Sequence, residues 1–352
     1  MRYFAALRLC EKCLFRQNCE NRSRKAAKTQ RTAKKKRKFS LRYSASLRLC
    51  ENRLWCPMFD SLRSILQDPP PAMAFEISEA GIAAARIGAK AELDFLPLKP
   101  GTLTVSPLKE NVLDPDEFVM AVRSLAGSQN ARKRKDVALI LPDFSARISV
   151  LDFDQFPKDA KEQASLIRFR LKRSVPFDVE SAALSYWAQP GEKGKVDAVV
   201  VLAPLEIVSR YEAPFRTAGM NPGLVTTSSL AALELAPEAG LSVLAKLTGR
   251  VLTLVVRDKI QIKLVRCLEL PSNELDDIAA VLVPTFVYIE DNLGRPAENL
   301  LLCGFGAEAD EAERRFTEEL GVAVAPVRSP LGTPGENNAG LLGYLRSIAK
   351  NN

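Results

Sequence analysis

Residues 139–187 read LILPDFSARISVLDFDQFPKDAKEQASLIRFRLKRSVPFDVESAALSYW, and the order of elements in this stretch decides the fold. An apolar run over 137–141 predicts a buried strand, closed by Pro142 and Asp143. A second strand is expected over 148–153, stopping at Pro157. A helix follows over 159–174. Asp159 is placed to cap it with Glu162 three positions on, and Ala160, Ala164, Ile167 and Leu171 share one face. Pro176, between Val175 and Phe177, ends this helix because proline supplies no N–H to the ladder and restricts the residue before it. A strand over 182–189 completes the module.

The composition excludes whole classes of chemistry. Histidine is absent from all 352 residues, which removes Ser-His-Asp and Cys-His catalysis, histidine-held metals and imidazole acid–base work together. Hydrophobic residues at 47% and charged residues at 26% describe a globular chain with room for about two domains. No uncharged apolar run approaches the length of a membrane span. The net charge of +8 is unevenly placed. Residues 1–72 carry 18 Lys and Arg against 5 Asp and Glu; subtracting these from the chain's 50 and 42 leaves 32 basic and 37 acidic residues for 73–352. Cysteine follows the same division, with only Cys267 and Cys303 in the body, in apolar surroundings that suit buried residues of a reducing compartment.

The leader, residues 1–72, contains a repeat: RYFAALRLCEKCLF over 2–15 returns as RYSASLRLCENRLW over 42–55. A polybasic run over 22–38 lies between the copies. Three readings compete: an electrostatic membrane or nucleic-acid segment, a zinc site at Cys10, Cys13, Cys19 and Cys50, or translated upstream sequence outside the folded protein. The abrupt change in charge, cysteine content and periodicity favours the third, with Met73 as the true start.

The body then splits into two halves of similar grammar, 73–240 and 241–352. In the first, strands are expected over 75–78, 82–87 and 91–98. A helix beginning near Asp114 and Pro115 has a stripe of Phe118, Val119, Val122 and Leu125. After the basic loop 132–135 and the opening module come a strand over 196–203 and helices over 205–218 and 228–236. In the second half, strands are expected over 241–246, 251–257, 260–266 and 299–303, and helices over 273–292, 307–320 and 339–350. Pattern alone gives an α/β chain of two lobes.

The order of these elements, with Phe156-Pro157, Glu162, Pro176-Phe177, Glu180 and Tyr186 at their spacing, resembles the PilM family of type IV pilus proteins. The resemblance covers most of 73–350. It implies a two-lobed actin-like (ribonuclease-H-like) fold with an inserted extra subdomain of the type PilM shares with FtsA, here about 148–203.

Actin-like proteins hold ATP between their lobes, with glycine-containing loops round the phosphates and a carboxylate to position the metal. This chain departs from the pattern. Where the family's first loop runs Asp-Ile-Gly-Ser, Glu76-Ile77-Ser78-Glu79 stand, and the turn keeps only Gly81. No aspartate occurs over 198–257, so the second loop has Lys246-Leu247-Thr248-Gly249 and no metal-positioning carboxylate. The third element survives in part as Gly304 and Gly306. Any nucleotide would meet Glu76, Ser78, Gly81, Thr248, Gly249, Gly304 and Gly306. The expectation is that neither ATP nor magnesium is required and that no catalytic or metal-ligating residue is present.

By the same resemblance, the chain is expected to be a non-catalytic cytoplasmic scaffold of a pilus or related secretion platform. It would reach the inner membrane through the N-terminal tail of a PilN-like membrane protein, without inserting itself and without nucleic acid. Phe156, Pro157, Glu162, Phe169, Arg170, Pro176 and Phe177 are the residues expected to line the tail groove. Each has a plainer alternative: Phe169 as core, Pro176 as a helix stop, Arg170 as a solvated charge. The alternative function is an actin-like assembly ATPase working through atypical phosphate loops.

Overall fold

A computed structural model describes residues 70–87, 91–126 and 135–350. The expectations for the leader up to residue 69, and for the basic loop up to residue 134, fall outside the described residues.

Along the chain the first strands are β1 (Met73–Ile77), β2 (Gly81–Ile87) and β3 (Ala91–Pro97), followed by helix α1 (Pro115–Ala126) and β4 (Lys135–Leu141). The module of residues 139–187 then supplies β5 (Arg147–Phe153), α2 (Ala160–Leu171) and β6 (Ala182–Pro190), and β7 (Val196–Pro204) follows. Helix α3 (Leu205–Thr217), β8 (Met220–Thr227) and the short α4 (Ser228–Ala232) close the first half. The second half runs β9 (Leu241–Thr248), β10 (Val251–Asp258), β11 (Gln261–Glu269), α5 (Leu275–Leu293), β12 (Asn299–Cys303), α6 (Ala309–Leu320), β13 (Ala323–Pro326) and α7 (Ala339–Ala349).

The two halves repeat one topology. The first sheet has the order β3-β2-β1-β4-β8 and the second β11-β10-β9-β12-β13. Each is an antiparallel three-strand meander extended by two parallel strands. The central strands β1, β4 and β9 are apolar and buried, as strands covered on both faces must be. The third sheet, β5-β7-β6, is antiparallel and carries α2 over its own small core of Phe153, Ile167, Leu171, Val175 and Val179. This extra subdomain is inserted between β4 and α3 of the first lobe.

Helix α2 begins where the sequence places it. The Asp159 carboxylate accepts from the backbone N–H groups of Lys161 and Glu162. Its buried face differs in one member: Gln163 lies inward with Ile167 and Leu171, whereas Ala160 is exposed and Ala164 half-buried. The amide is satisfied there, donating to the Pro157 carbonyl at 2.6 Å and accepting from the Tyr186 hydroxyl at 2.8 Å.

Two strands were not expected from the sequence, β8 and β13, and both are the fifth, outermost strand of their sheet. Pro222-Gly223 in β8 reads as a turn, yet an edge strand tolerates proline, and the register against β4 shifts between Val137 and Ala138. The closing helix is also placed differently. It was grouped with the second half, but α7 packs on α4 and buries Leu341, Leu342, Tyr344 and Leu345 in the first lobe's core. Glycines make this approach: a Cβ at Gly343 would sit 2.0 Å from the Ala231 carbonyl oxygen. Ahead of β1, the Tyr344 hydroxyl donates to the Pro71 carbonyl at 2.7 Å and Ile87 N–H to that of Ala72 at 2.8 Å, so these two residues also hold to the body.

Candidate functional site

The lobes meet across a cleft of about 310 Å³. Its walls come from the β1–β2 turn, the Pro142-Asp143-Phe144 corner after β4, Ser228 at the start of α4, and the β9–β10 turn. Of the seven expected nucleotide-facing residues, Glu76, Ser78, Thr248 and Gly249 line this space. Gly81, Gly304 and Gly306 are not among the lining residues. Gly81 instead lies beneath Phe95, and Gly304 is pressed on the Leu247 carbonyl.

At the floor of the cleft is a buried charge cluster. Glu76, from β1, has both carboxylate oxygens engaged within the protein: one accepts from the Ser228 hydroxyl and the other from Leu341 N–H at 2.7 Å. The carboxylate therefore sits on the first turn of α7, where helix N–H groups lack partners and the dipole favours an anion. Burial pushes its pKa above the usual glutamate value, against the opposing pull of Lys246 and these hydrogen bonds.

Lys246, near the end of β9, is the counter-charge. Its side chain is only 2% exposed, and its ammonium lies 3.5 Å from Asp143 Oδ2, itself 4% exposed. It also donates to Thr248 Oγ1 at 2.6 Å. Burial works to lower the lysine pKa, but the Asp143 and Glu76 carboxylates outweigh it and hold the ammonium above its ordinary value. Asp143 is a hub in turn: Ser229 N–H donates to Oδ1 at 2.7 Å, and Thr253 Oγ1 on β10 donates to Oδ2 at 3.3 Å. Cys303, next to this cluster, is held as a thiol, its pKa pushed up to about 12 by burial. It has no nucleophilic character there.

The fold implies ATP and magnesium, and these residues do not fit them. In the second loop the structure places Lys246, a buried positive charge 3.5 Å from Asp143 Oδ2 and within the field of Glu76. A divalent cation would have to share their oxygens with an ammonium ion. Two further donors of the cleft are engaged: Gly249 N–H donates to Glu336 Oε2 at 3.3 Å, and Arg250 pairs with Glu269. Glu79 and Glu336 leave the mouth acidic, which opposes a polyphosphate. Among the described residues, no group of three or more Cys, Asp or Glu side chains could hold a metal ion.

The loop motifs contain Lys246 and the strand-closing pair contains Asp143, but the sequence pattern assigns neither a role. The available signal was a lone lysine inside the apolar run of β9, since a lysine is almost never fully buried unless paired.

The expected partner-binding residues all belong to the extra subdomain, but they divide into two kinds. Phe156 packs edge-on to Tyr186 with centroids 6.3 Å apart, and Phe177 is half-buried against the subdomain core. Pro157 serves the Gln163 amide, and Arg170 covers the Phe153 ring at 5.4 Å while pairing with Asp152. Glu162 and Pro176 are exposed. Phe169 stands out: it is 76% exposed on α2, with no aromatic or core contact to account for a phenyl ring in water.

The extra subdomain is fastened to the second lobe as well as to the first. Gln189 on β6 donates to the Ile262 carbonyl at 2.6 Å and accepts from the Ile262 N–H at 3.2 Å, so its buried amide imitates a neighbouring strand on the edge of β11. Beside it, Lys263 on β11 pairs with Asp197 on β7 at 3.4 Å in a largely buried position.

No family model matches the chain, and no curated protein matches it. Among solved structures it is similar to a chain of a PilM-PilN type IV pilus biogenesis complex, with 20% identity and a TM-score of 0.63 over 80% of this chain and 99% of that one. It also matches an actin-like ATPase-fold protein of unknown function from Bacteroides thetaiotaomicron, at 12% identity and a TM-score of 0.46 over 77% and 94% of the two chains. A third match is the cytoplasmic domain of EpsL, an inner-membrane component of the Vibrio cholerae type II secretion system, at 12% identity and a TM-score of 0.45 over 79% and 94%. The repeated five-stranded topology and the match over nearly the whole length of the chain from the PilM-PilN complex establish the fold, a two-lobed actin-like α/β architecture similar to that of the matched chain.

Proposed function

We propose that the chain is a non-catalytic scaffold of a type IV pilus or related secretion platform, held at the cytoplasmic side of the inner membrane by the N-terminal tail of a PilN-like membrane protein. The observation that supports the non-catalytic part is Lys246, a buried ammonium ion paired with Asp143 and held charged by Asp143 and Glu76, in the loop where the resemblance leads to the expectation of a metal-positioning carboxylate. The partner is drawn from the likeness to the chain in the PilM-PilN complex, which is matched over nearly its whole length. The extra subdomain offers a surface suited to such a partner, with Phe169 as an apolar anchor standing in solvent. Among the described residues no helix is long and apolar enough to cross a membrane.

Two calorimetric titrations of the full chain test this reading. A synthetic peptide of the partner's N-terminal tail is expected to bind, and Mg-ATP is expected to give no heat. Micromolar Mg-ATP binding, with turnover, establishes the alternative of an assembly ATPase. Silence with the peptide under every nucleotide condition removes the scaffold reading.

A further inference from the structure

Helix α5 is amphipathic with both faces apolar in its centre. Its inner face buries Leu275, Ile278, Leu282, Thr285 and Ile289 against the second sheet. The outer face turns Ala280, Val283, Pro284, Val287 and Tyr288 to solvent, with Val287 55% exposed. Positions 280, 283, 284, 287 and 288 fall on one side of a helix, so these residues form one continuous stripe about two turns long. A soluble helix ordinarily carries charge on such a face; isolated exposed apolar residues need no explanation, but a contiguous stripe does. Pro284 sits in its middle and gives no N–H to the Ala280 carbonyl.

The charges that α5 itself carries are of one sign. Asp276, which pairs with Arg315, and Asp277, which accepts from Ser272, stand at one end and Glu290 and Asp291 at the other, and α5 contains no Lys or Arg. The C-terminal pair adds to the negative end of the helix dipole, an arrangement that costs an isolated helix stability. The neighbouring α6 carries five acidic residues against two arginines, and Arg315 is already divided between Asp276 and Glu319. Arg266 lies over the Tyr288 ring at 5.3 Å, and Arg295 beyond the helix is engaged by Asp258 and Glu298. An occupant of the stripe must therefore be apolar in its centre and basic at its ends. A second copy of the chain fails this requirement, because two α5 helices set side by side bring acid against acid in either direction. An anionic lipid surface fails it for the same reason.

We propose that the outer face of α5 is a docking surface for an amphipathic helix of a partner protein, with an apolar stripe flanked by Lys or Arg at both ends. It lies on the second lobe and does not depend on the tail site of the extra subdomain. The acidic residues at 276 and 291 are separated by a helical rise of about 22 Å, which sets a partner helix of about 16 residues.

The test uses two synthetic helical peptides of that length with the same leucine stripe, one ended by arginines and one by glutamates, titrated against the full chain by fluorescence anisotropy. The arginine-ended peptide is expected to bind and to weaken with added salt, and the glutamate-ended peptide to stay free. Val287→Glu should weaken the arginine-ended peptide about tenfold or more by placing a charge in the apolar contact. Asp291→Lys should weaken it too, while Phe169→Asp should leave it unchanged. Because Val287 is exposed, the fold is kept in these variants. If Val287→Glu binds the arginine-ended peptide as well or better, the attraction is only electrostatic and the proposal falls. It falls equally if both peptides bind alike, if sedimentation shows a dimer that Val287→Glu dissolves, or if the chain adsorbs to phosphatidylglycerol vesicles through this face.

Discussion

The Lys246 ammonium and the Asp143 carboxylate, 3.5 Å apart, belong to different lobes, one ending a strand of the second sheet and the other following a strand of the first. Nearly shielded from solvent and within the field of Glu76, they make a cross-lobe link. Breaking a buried pair by removing one member leaves the other charge without compensation, which costs about 3–5 kcal/mol. Lys246→Met should destabilise the chain by that order in urea denaturation, and adding Glu76→Gln should recover part of it. A Lys246→Met variant as stable as the parent would show that the cluster holds nothing together.

The same pair sets a pH dependence with a definite sign. The Lys246 pKa is raised in the folded chain, because Asp143 and Glu76 outweigh the effect of burial. The folded state thus holds this proton more tightly than the unfolded chain does. Its stabilisation is full below the ordinary lysine value of 10.5 and is lost as pH rises through the folded value. Melting curves of the parent and of Lys246→Met should therefore converge above pH 10.5 and differ most below it. Parallel curves across the alkaline range would contradict the assignment.

Gln189 makes a prediction about coupling between the extra subdomain and the second lobe. Gln189→Ala leaves both the N–H and the carbonyl of Ile262 without their amide partner in a buried place. The expected loss is about 1–3 kcal/mol, with faster amide hydrogen exchange at Ile262 than at Val255, which keeps its backbone ladder. Unchanged exchange at Ile262 would mean that β11 is protected by other means.

What the sequence reveals and conceals follows from where each signal resides. The Asp159 cap and the apolar runs of β1, β4 and β9 are local, and each element built on them is in place, whereas α2 ends at Leu171, ahead of the stop expected at Pro176. The strands β8 and β13 escape because edge strands accept Pro222 and Pro326, residues that locally read as breaks. The place of α7 escapes because its partner α4 is more than a hundred residues away and the cue is only two glycines, Gly340 and Gly343. The loop residues Glu76 and Thr248 were legible as departures from a phosphate site. Their meaning was not, since Glu76 is answered by Ser228 and Leu341, and Asp143 meets Lys246 only after both lobes have folded.

The final prediction separates a role in binding from a role in folding within the extra subdomain. Phe177 is half-buried against the core of Ile167, Leu171 and Val179, so a charge there would desolvate in the interior and lower stability. Phe169 is exposed, and Phe169→Asp should change stability by no more than about 0.5 kcal/mol. If the tail of a membrane partner docks on α2, Phe169→Asp should weaken a synthetic tail peptide about tenfold, because a few apolar anchors must offset the entropy lost in ordering an extended chain. Phe177→Asp should weaken the same peptide only in proportion to its loss of folded protein, read from parallel melting curves. A peptide that binds the parent and Phe169→Asp alike, while Phe177→Asp remains folded and fails to bind, would move the groove to the Phe177 side of the subdomain. It would also leave the exposed ring of Phe169 without a part in tail recognition.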